Sequence, residues 1–261
     1  MRIAVLDVPT GIRPAASRAR IAALAVLLVA TTAACGGRAA PDDLPADPDT
    51  LVLRVAEYPS SPRPGGRGQV PRFSLYGGGR VVVPAGDGDA MRTAREYRLS
   101  PADYRDLLDR AYGAGLDRAG DINEQSQTDS AQLTITLATP DGARTTRVTA
   151  SEAGGGDRAR INAFVSSLPA TPPDASAYRP SAVALLAIDG VGDAGAVRAW
   201  PLGPLSQGTS TRQGLCTVTR EAVPLGRTSQ DRSRWRSDDK IFAVVARPLL
   251  PDERTCLDLD R

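Results

Sequence analysis

Residues 133–149 decide the fold class, and they read Leu-Thr-Ile-Thr-Leu-Ala-Thr-Pro-Asp-Gly-Ala-Arg-Thr-Thr-Arg-Val-Thr. The first five residues alternate leucine or isoleucine with threonine, which is the pattern of a strand with one buried face. Thr139-Pro140-Asp141-Gly142 then indicates a turn, because proline presets φ and glycine closes the turn. Residues 144–149 return as the partner strand. This stretch therefore predicts an antiparallel hairpin.

A helix is predicted before this hairpin and a second one after it. Ser100 suits the N-cap of the first helix, Pro101 its first position and Asp103 its third, and glycines at 113 and 115 end it. Its apolar stripe is Tyr104, Leu107, Leu108, Ala111 and Tyr112, and Asp103, Arg105, Asp106, Asp109 and Arg110 fill the opposite face. The apolar face of the second helix is Ile161, Phe164, Val165 and Leu168, before Pro169.

Short apolar runs earlier in the chain predict the other strands of this part. They are Leu51–Val55, Phe73–Tyr76, Arg80–Val83 and Arg95–Leu99. Gly77-Gly78-Gly79 joins two of these runs as a hairpin loop, since glycine adopts positive φ cheaply. Residues 51–168 are therefore expected to form an α+β domain, in which two helices cover one face of a mainly antiparallel sheet.

A proline-rich linker, residues 169–180, separates this domain from a smaller segment, residues 181–261. That segment is rich in strands and loops and is expected to contain one disulfide. Its predicted strands are residues 182–188, 197–200, 216–219 and 240–246. The sequence is compatible with one domain or with two.

The N-terminus has the three parts of a secretory signal, residues 1–34. A basic region ends at Arg20, and an apolar stretch, residues 21–30, is short for a membrane span. Small residues then lead to Cys35. We expect Cys35 to be the lipid-attachment site and residues 35–50, rich in proline, glycine and aspartate, to be a disordered tether. The alternative is an ordinary secretory signal with an incidental Cys35.

Cysteine arithmetic favours the anchor. The chain has three cysteines, and with Cys35 consumed by lipid the other two, Cys216 and Cys256, make an even pair for an oxidising compartment. We therefore expect a Cys216–Cys256 disulfide, and two free buried thiols are the alternative.

Composition excludes several classes of function. The 261 residues contain no histidine, which removes Ser-His-Asp and Cys-His catalysis and imidazole-ligated metals. Residues 1–34 hold four arginines and one aspartate of the 32 basic and 30 acidic residues, so 28 and 29 are left after them, a net charge of −1. Such a balanced chain lacks the positive charge of a nucleic-acid binder. No metal and no cofactor are expected.

The remaining candidates for chemistry have structural interpretations that we favour. Ser237-Asp238-Asp239-Lys240 fits the Ser-x-x-Lys spacing of penicillin-binding enzymes but also a polar turn before a strand. Four carboxylates could hydrolyse sugars: Asp238, Asp239, Asp252 and Glu253. Residues 87–89 and 189–193 are interpreted as turns rather than calcium loops, and residues 154–156 as a flexible loop rather than a phosphate loop.

Two further features could form a recognition surface. Trp200 and Trp235 could line a ligand pocket, although packing in the core is the interpretation we favour. Residues 247–256, Arg-Pro-Leu-Leu-Pro-Asp-Glu-Arg-Thr-Cys, form a rigid charged string that Cys256 would pin to Cys216. A structural clasp is favoured over a recognition surface.

The chain resembles uncharacterised lipoproteins and secreted proteins of high-GC actinobacteria. The lipobox around Cys35, the Phe73–Val83 hairpin and the closing Arg247–Cys256 string carry the resemblance. It implies a lipid-anchored protein on the extracytoplasmic face of the cell membrane, and it supplies no catalytic residues.

We expect a non-enzymatic binding or interaction module whose partners are the membrane, through the N-terminal lipid, and an envelope protein or cell-wall component. The alternatives are an accessory or inhibitor domain acting on a secreted enzyme and a hydrolase that uses only carboxylates. A pocket of convergent carboxylates favours the hydrolase, and an exposed apolar patch at Trp200 or Trp235 favours binding.

Overall fold

The computed structural model describes residues 38–58, 68–86, 90–118, 120–122, 132–149, 155–189, 197–223, 225 and 234–260. Contacts between residues divide the chain at Cys35/Gly36, and every described residue belongs to the unit Gly36–Arg261. The predicted export signal and Cys35 therefore lie outside the described residues.

The first sheet has eight strands. In chain order they are β1 (Leu51–Tyr58), β2 (Phe73–Tyr76), β3 (Arg80–Pro84), β4 (Ala94–Arg98), β5 (Gly120–Ile122), β6 (Gln132–Thr139), β7 (Gly142–Thr149) and β8 (Ser176–Ala177). Their order across the sheet is β5-β7-β6-β1-β2-β3-β4-β8. Neighbouring strands are antiparallel except β5 and β7, which run parallel.

Both predicted hairpins of this sheet are confirmed. β6 and β7 pair with Thr139 opposite Gly142, whose φ of 106° suits glycine and few other residues. β2 and β3 are joined by Gly77–Gly79, a 3-10 turn in which Gly78 and Gly79 have φ of 61° and 78°. The turn chemistry read from the sequence therefore sets the register of these strands.

Two helices, α1 (Pro101–Gly113) and α2 (Asp157–Ser166), pack on one face of the first sheet. Ser100 caps α1 as predicted, since its Oγ accepts a hydrogen bond from the Asp103 backbone N–H at 3.1 Å. The five residues of the predicted stripe of α1 are all buried. The shared core includes Leu53, Leu75, Leu107, Ile135 and Phe164.

The second sheet has six strands: β9 (Val183–Asp189), β10 (Val197–Ala199), β11 (Thr209–Thr211), β12 (Gly214–Thr219), β13 (Arg234–Ser237) and β14 (Lys240–Pro248). Their order is β10-β13-β14-β9-β12-β11. β9 is buried on both faces, because Leu185 and Ala187 belong to one apolar cluster and Ala184 and Leu186 to another. This burial matches the continuous apolar run from which the strand was predicted.

The molecule is dominated by sheet. The two covering helices and the Cys216–Cys256 disulfide are present, but fourteen strands in two sheets make the described chain a sheet-rich structure rather than a clear two-helix α+β fold. Most of its strands pair antiparallel, as expected.

The segment predicted as a linker, residues 169–180, contributes β8 to the edge of the first sheet, beside β4. The Arg95 guanidinium donates hydrogen bonds to the carbonyl oxygen of Pro173 at 2.8 Å and to that of Ala175 at 2.7 Å. The proline-rich stretch is thus held against the sheet by its backbone carbonyls. Because every residue has a backbone carbonyl, the sequence does not reveal these contacts.

Residues 40–50 of the predicted tether are also held against the folded chain. Ala40 is buried in the first core, and Leu44 packs against the same core. Two residues on the polar face of α1, Arg105 and Asp109, hydrogen bond the backbone of this stretch. The prediction of disorder was based on the types of side chain in this stretch, whereas the contacts that order it are made mainly by its backbone.

Candidate functional site

The closing segment, residues 249–260, follows β14 and carries the most heavily charged cluster of the described interior. Arg247, at the end of β14, donates from Nη2 to Glu253 Oε1 at 2.7 Å, and both side chains are 3% exposed or less. The second carboxylate oxygen of Glu253 accepts the Leu250 backbone N–H at 2.8 Å. Glu253 therefore folds the segment back on β14.

Arg54 reaches this cluster from β1 of the other sheet. Its Nη2 donates to Asp252 Oδ1 at 2.7 Å and to the Tyr76 hydroxyl at 3.2 Å, and its Nη1 lies 3.7 Å from Glu253 Oε1. The Tyr76 hydroxyl in turn donates to Asp252 Oδ1 at 2.8 Å. The two sheets are therefore linked by one buried network, the inter-sheet cluster of Arg54, Tyr76, Arg247, Asp252 and Glu253.

The surroundings shift the pKa of two groups of the inter-sheet cluster, Arg54 and Tyr76. Burial acts to lower the pKa of the Arg54 guanidinium, but its interactions with Tyr76, Glu253 and Asp252 outweigh burial and raise that pKa. Burial also raises the pKa of the Tyr76 hydroxyl. Arg54 is thus charged and Tyr76 is a neutral hydrogen-bond donor at every physiological pH.

A small cleft of about 30 Å³ adjoins the inter-sheet cluster. Its polar lining includes Arg54, Tyr58, Gln69, Gln213, Arg247 and Glu253. Pockets for small organic ligands enclose about 300–1,000 Å³, whereas this cleft has the size of one or two water molecules. The buried Nε of Arg247, which has no hydrogen-bond partner among the described residues, is a donor that such a water could satisfy.

The contacts of the inter-sheet cluster hold the two sheets together. Both carboxylates accept hydrogen bonds from guanidinium groups, Asp252 from Arg54 and Glu253 from Arg247. Two of the four carboxylates considered for sugar hydrolysis, Asp252 and Glu253, meet here, both within reach of Arg54. The other two, Asp238 and Asp239, lie exposed in the turn between β13 and β14.

The predicted disulfide anchors the closing segment to the second sheet. Cys216 on β12 and Cys256 are bonded with their Cα atoms 5.7 Å apart and 40 positions apart in sequence. Both sulfur-bearing residues are buried beside Leu249 and Leu259. The clasp interpretation of residues 247–256 fits these contacts, because the segment is bonded covalently to one sheet and by ion pairs to the other.

Ser237 and Lys240 occupy the polar turn that was favoured for them. The Ser237 hydroxyl accepts the Leu205 backbone N–H at 2.9 Å, and the Lys240 ammonium lies 3.8 Å from Asp189 Oδ2 on β9. These side chains therefore have separate partners.

Trp200 and Trp235 pack in the second sheet's core, as favoured. Their rings meet edge to face with centroids 5.1 Å apart, and they are 8% and 4% exposed. Leu205 and Phe242 belong to the same cluster. The pair contributes packing to the core rather than an exposed apolar patch.

Three further candidates are only partly described. Residues 87–89 and 190–193 of the possible calcium loops and residue 154 of the glycine run lie outside the described residues. In the parts of the chain that the structure describes, no three side chains of the metal-binding types come together as a cation site. Gly156 precedes α2 with φ of 66°, which suits a glycine at a helix start.

Sequence reasoning missed Arg54, Tyr76, Arg105 and Asp109. A signal existed for Arg54, because an arginine inside an otherwise apolar strand requires a buried partner. The other three have no such signal, since each sits where its residue type is ordinary.

Comparison of the chain with protein-family models, with curated proteins and with solved structures finds no match. Within the described residues, no helix has the length and apolarity needed to span a bilayer.

Proposed function

We propose that this protein is an actinobacterial envelope lipoprotein, anchored to the extracytoplasmic face of the cell membrane through acylated Cys35. Its sheet-rich body serves as a non-enzymatic binding or interaction module for an envelope protein or cell-wall component. The resemblance of the lipobox, the Phe73–Val83 hairpin and the closing string to such lipoproteins is the starting point of the proposal.

One observation carries it: the Cys216–Cys256 disulfide. Since these two cysteines are bonded to each other, Cys35 is left over from the three cysteines of the sequence and has no second cysteine of the same chain to pair with. It directly follows the small residues that end the signal-like segment. A structural disulfide is also typical of exported proteins, because the bacterial cytosol keeps thiols reduced.

The inter-sheet cluster supports a binding role over the carboxylate-only hydrolase. A glycosidase needs one carboxyl group that can give up a proton and a second that acts as base or nucleophile. Asp252 and Glu253 are each paired with an arginine, Arg54 or Arg247, at 2.7 Å, and the cleft beside them, about 30 Å³, is too small for a sugar ring. Their geometry fits a structural role.

Membrane fractionation of an actinobacterial host that expresses the full chain tests the proposal. The wild type is expected in the membrane fraction and soluble only in detergent, and Cys35→Ser is expected to lose the anchor because serine cannot form the thioether-linked lipid. Cys216→Ser/Cys256→Ser is the matched control, since it removes two cysteines and keeps Cys35. Equal membrane binding of wild type and Cys35→Ser contradicts the proposal.

Cross-linking in intact envelopes, followed by affinity capture, addresses the partner. A binding module is expected to give a discrete cross-linked species with the wild type that is reduced in Cys35→Ser, which lacks the tether. The same species with both proteins assigns partner binding to the body independently of the anchor.

A further inference from the structure

The stretch that follows the proposed anchor is docked on α1, and the contacts of its backbone begin at Ala40. Before Ala40, the exposed Arg38 side chain lies 3.5 Å from Asp117 Oδ2. The Ala40 backbone N–H donates to Asp109 Oδ1 at 2.9 Å. The Arg105 guanidinium donates to the carbonyl oxygens of Pro41 at 2.6 Å and Asp42 at 2.8 Å. Because a guanidinium is a planar fork of donors, it fits consecutive carbonyl groups that lysine or alanine cannot hold.

Further contacts continue along the stretch. The Tyr104 hydroxyl donates to the Pro45 carbonyl at 3.1 Å, and the same carbonyl accepts the Gly78 backbone N–H at 3.0 Å. The backbone of Asp47 passes so close to Gly77 that a Cβ added to Gly77 would lie 2.2 Å from the Asp47 carbonyl oxygen. Residues 40–50, the strap, are therefore held at both ends and in the middle.

Docking of the strap leaves only a short length of chain between Cys35 and the first docked residue, Ala40. From Cys35 to Ala40 there are five chain steps, which span at most about 17 Å. If the strap were free, sixteen steps would separate Cys35 from Leu51 and would span at most about 55 Å. Docking removes most of the reach that the sequence alone predicts for a tether.

We infer that the strap is a fixed spacer that holds the body at the surface of the lipid bilayer. This inference rests on the proposed acylation of Cys35. It narrows the partner to a molecule exposed at the bilayer surface, because the body cannot extend into the more distant cell wall while the strap stays docked.

Proteolysis of the acylated full-length protein on vesicles of phosphatidylcholine and phosphatidylglycerol tests the docking. An endoproteinase that cuts before aspartate has four sites within the strap, and two of them, Asp42 and Asp43, lie in the part that Arg105 and Asp109 hold. Cleavage there is expected to be slow in the wild type and on the order of tenfold faster in Arg105→Ala/Asp109→Ala, since local opening precedes cleavage. Arg105→Lys, which keeps the charge and loses the fork, is expected to lie between them.

Arg110→Ala is the matched control. Arg110 lies on the same helix, but its guanidinium bonds Asp106 and Ser167 and not the strap. The cleavage rate of Arg110→Ala is expected to equal that of the wild type. Circular dichroism of each variant verifies that the fold is retained. A wild type that is cut as fast as the double variant overturns the inference.

Neutron reflectometry of the same proteins on a supported bilayer measures the height of the body. In the double variant the first hydrogen-bonded residue becomes Pro45, ten steps from Cys35 instead of five. Release of Ala40 and Leu44 from the core is then expected to move the protein layer outward by about 5 Å. If the wild type is acylated and its strap is protected, equal heights of the wild type and the double variant contradict the spacer role and leave the docking of the strap intact. Absence of acyl mass from the wild type overturns the anchor, and the cleavage rates still report separately whether the strap is docked.

Discussion

Arg54, together with Tyr76, links the first sheet to the closing segment by hydrogen bonds to Asp252. Its neighbours Leu53 and Val55 face the first core, so the alternation of β1 turns Arg54 toward the opposite face. A buried charge of this kind needs a partner, and that much could be predicted from the sequence. Its partner Asp252 could not, because it lies 198 positions away and a run of acidic residues has no specificity in sequence.

Removal of Arg54 tests the weight of the inter-sheet cluster. Arg54→Ala leaves Asp252 without its guanidinium and weakens the surroundings of Glu253, so we expect a loss of about 3–5 kcal/mol in the free energy of unfolding. Urea denaturation followed by circular dichroism measures it. Arg72→Ala is the control, because the Arg72–Glu57 ion pair is half exposed on both sides and such pairs contribute about 1 kcal/mol or less. Equal urea midpoints for Arg54→Ala and Arg72→Ala contradict the stabilising role of the inter-sheet cluster.

Two tyrosines, the buried Tyr104 and the partly buried Tyr178, lead to a prediction of how stability depends on alkaline pH. Burial raises the pKa of Tyr104 to about 12 and that of Tyr178 to about 12, from 10.0 for a free tyrosine. Because the folded state disfavours the tyrosinate, the stabilisation is complete below pH 10 and is lost as pH rises from about 10 to about 12.

Unfolding midpoints between pH 8 and pH 12 measure this dependence. We expect a plateau up to pH 10 and a steep decrease above it, and Tyr104→Phe is expected to make the decrease shallower because one of the titrating groups is gone. A stability that rises between pH 10 and pH 12 contradicts the assignment.

At the scale of single elements, local sequence carries most of the structure. The β6–β7 hairpin and α1 follow from alternation, turn residues and an N-cap, all of which act over a few positions. β5 and β8 could not be predicted this way. β5 pairs parallel with β7 and β8 joins β4 from about 80 positions away, so both depend on tertiary contacts.

The N-cap of α1 gives a direct test at this scale. Ser100→Ala removes the acceptor for the Asp103 N–H, and we expect about 1 kcal/mol of destabilisation. Ser100→Asp is expected to restore most of it, since aspartate is an equally good N-cap. Thermal unfolding of the three proteins measures the effect, and a Ser100→Asp variant no better than Ser100→Ala contradicts the capping role.

For the whole molecule, the strap and the closing segment determine how the first and last parts of the described chain are held. Both were expected from the sequence to be simple, one a disordered tether and the other a clasp. The clasp could be predicted because Cys256 marks it. The strap could not, since the atoms that order it are mainly backbone carbonyls, and Arg105 and Asp109 look like an ordinary solvated helix face.

The disulfide is expected to stabilise the whole fold through the closing segment. Cys216→Ala/Cys256→Ala opens a loop of 40 positions, which in the chain-entropy account costs about 4 kcal/mol. Urea unfolding under oxidising conditions measures the difference, and reduction of the wild type is expected to give the same shift. Double-mutant and wild-type midpoints that coincide contradict the role of the disulfide as the brace of this segment.

Mass spectrometry of the N-terminal peptide, from protein purified from actinobacterial membranes, tests the central claim most directly. The account predicts a mature chain that begins at Cys35 and carries the mass of two or three acyl chains, which bind a bilayer durably where one chain does not. A chain that begins at any other residue, or one that begins at Cys35 without acyl mass, contradicts it.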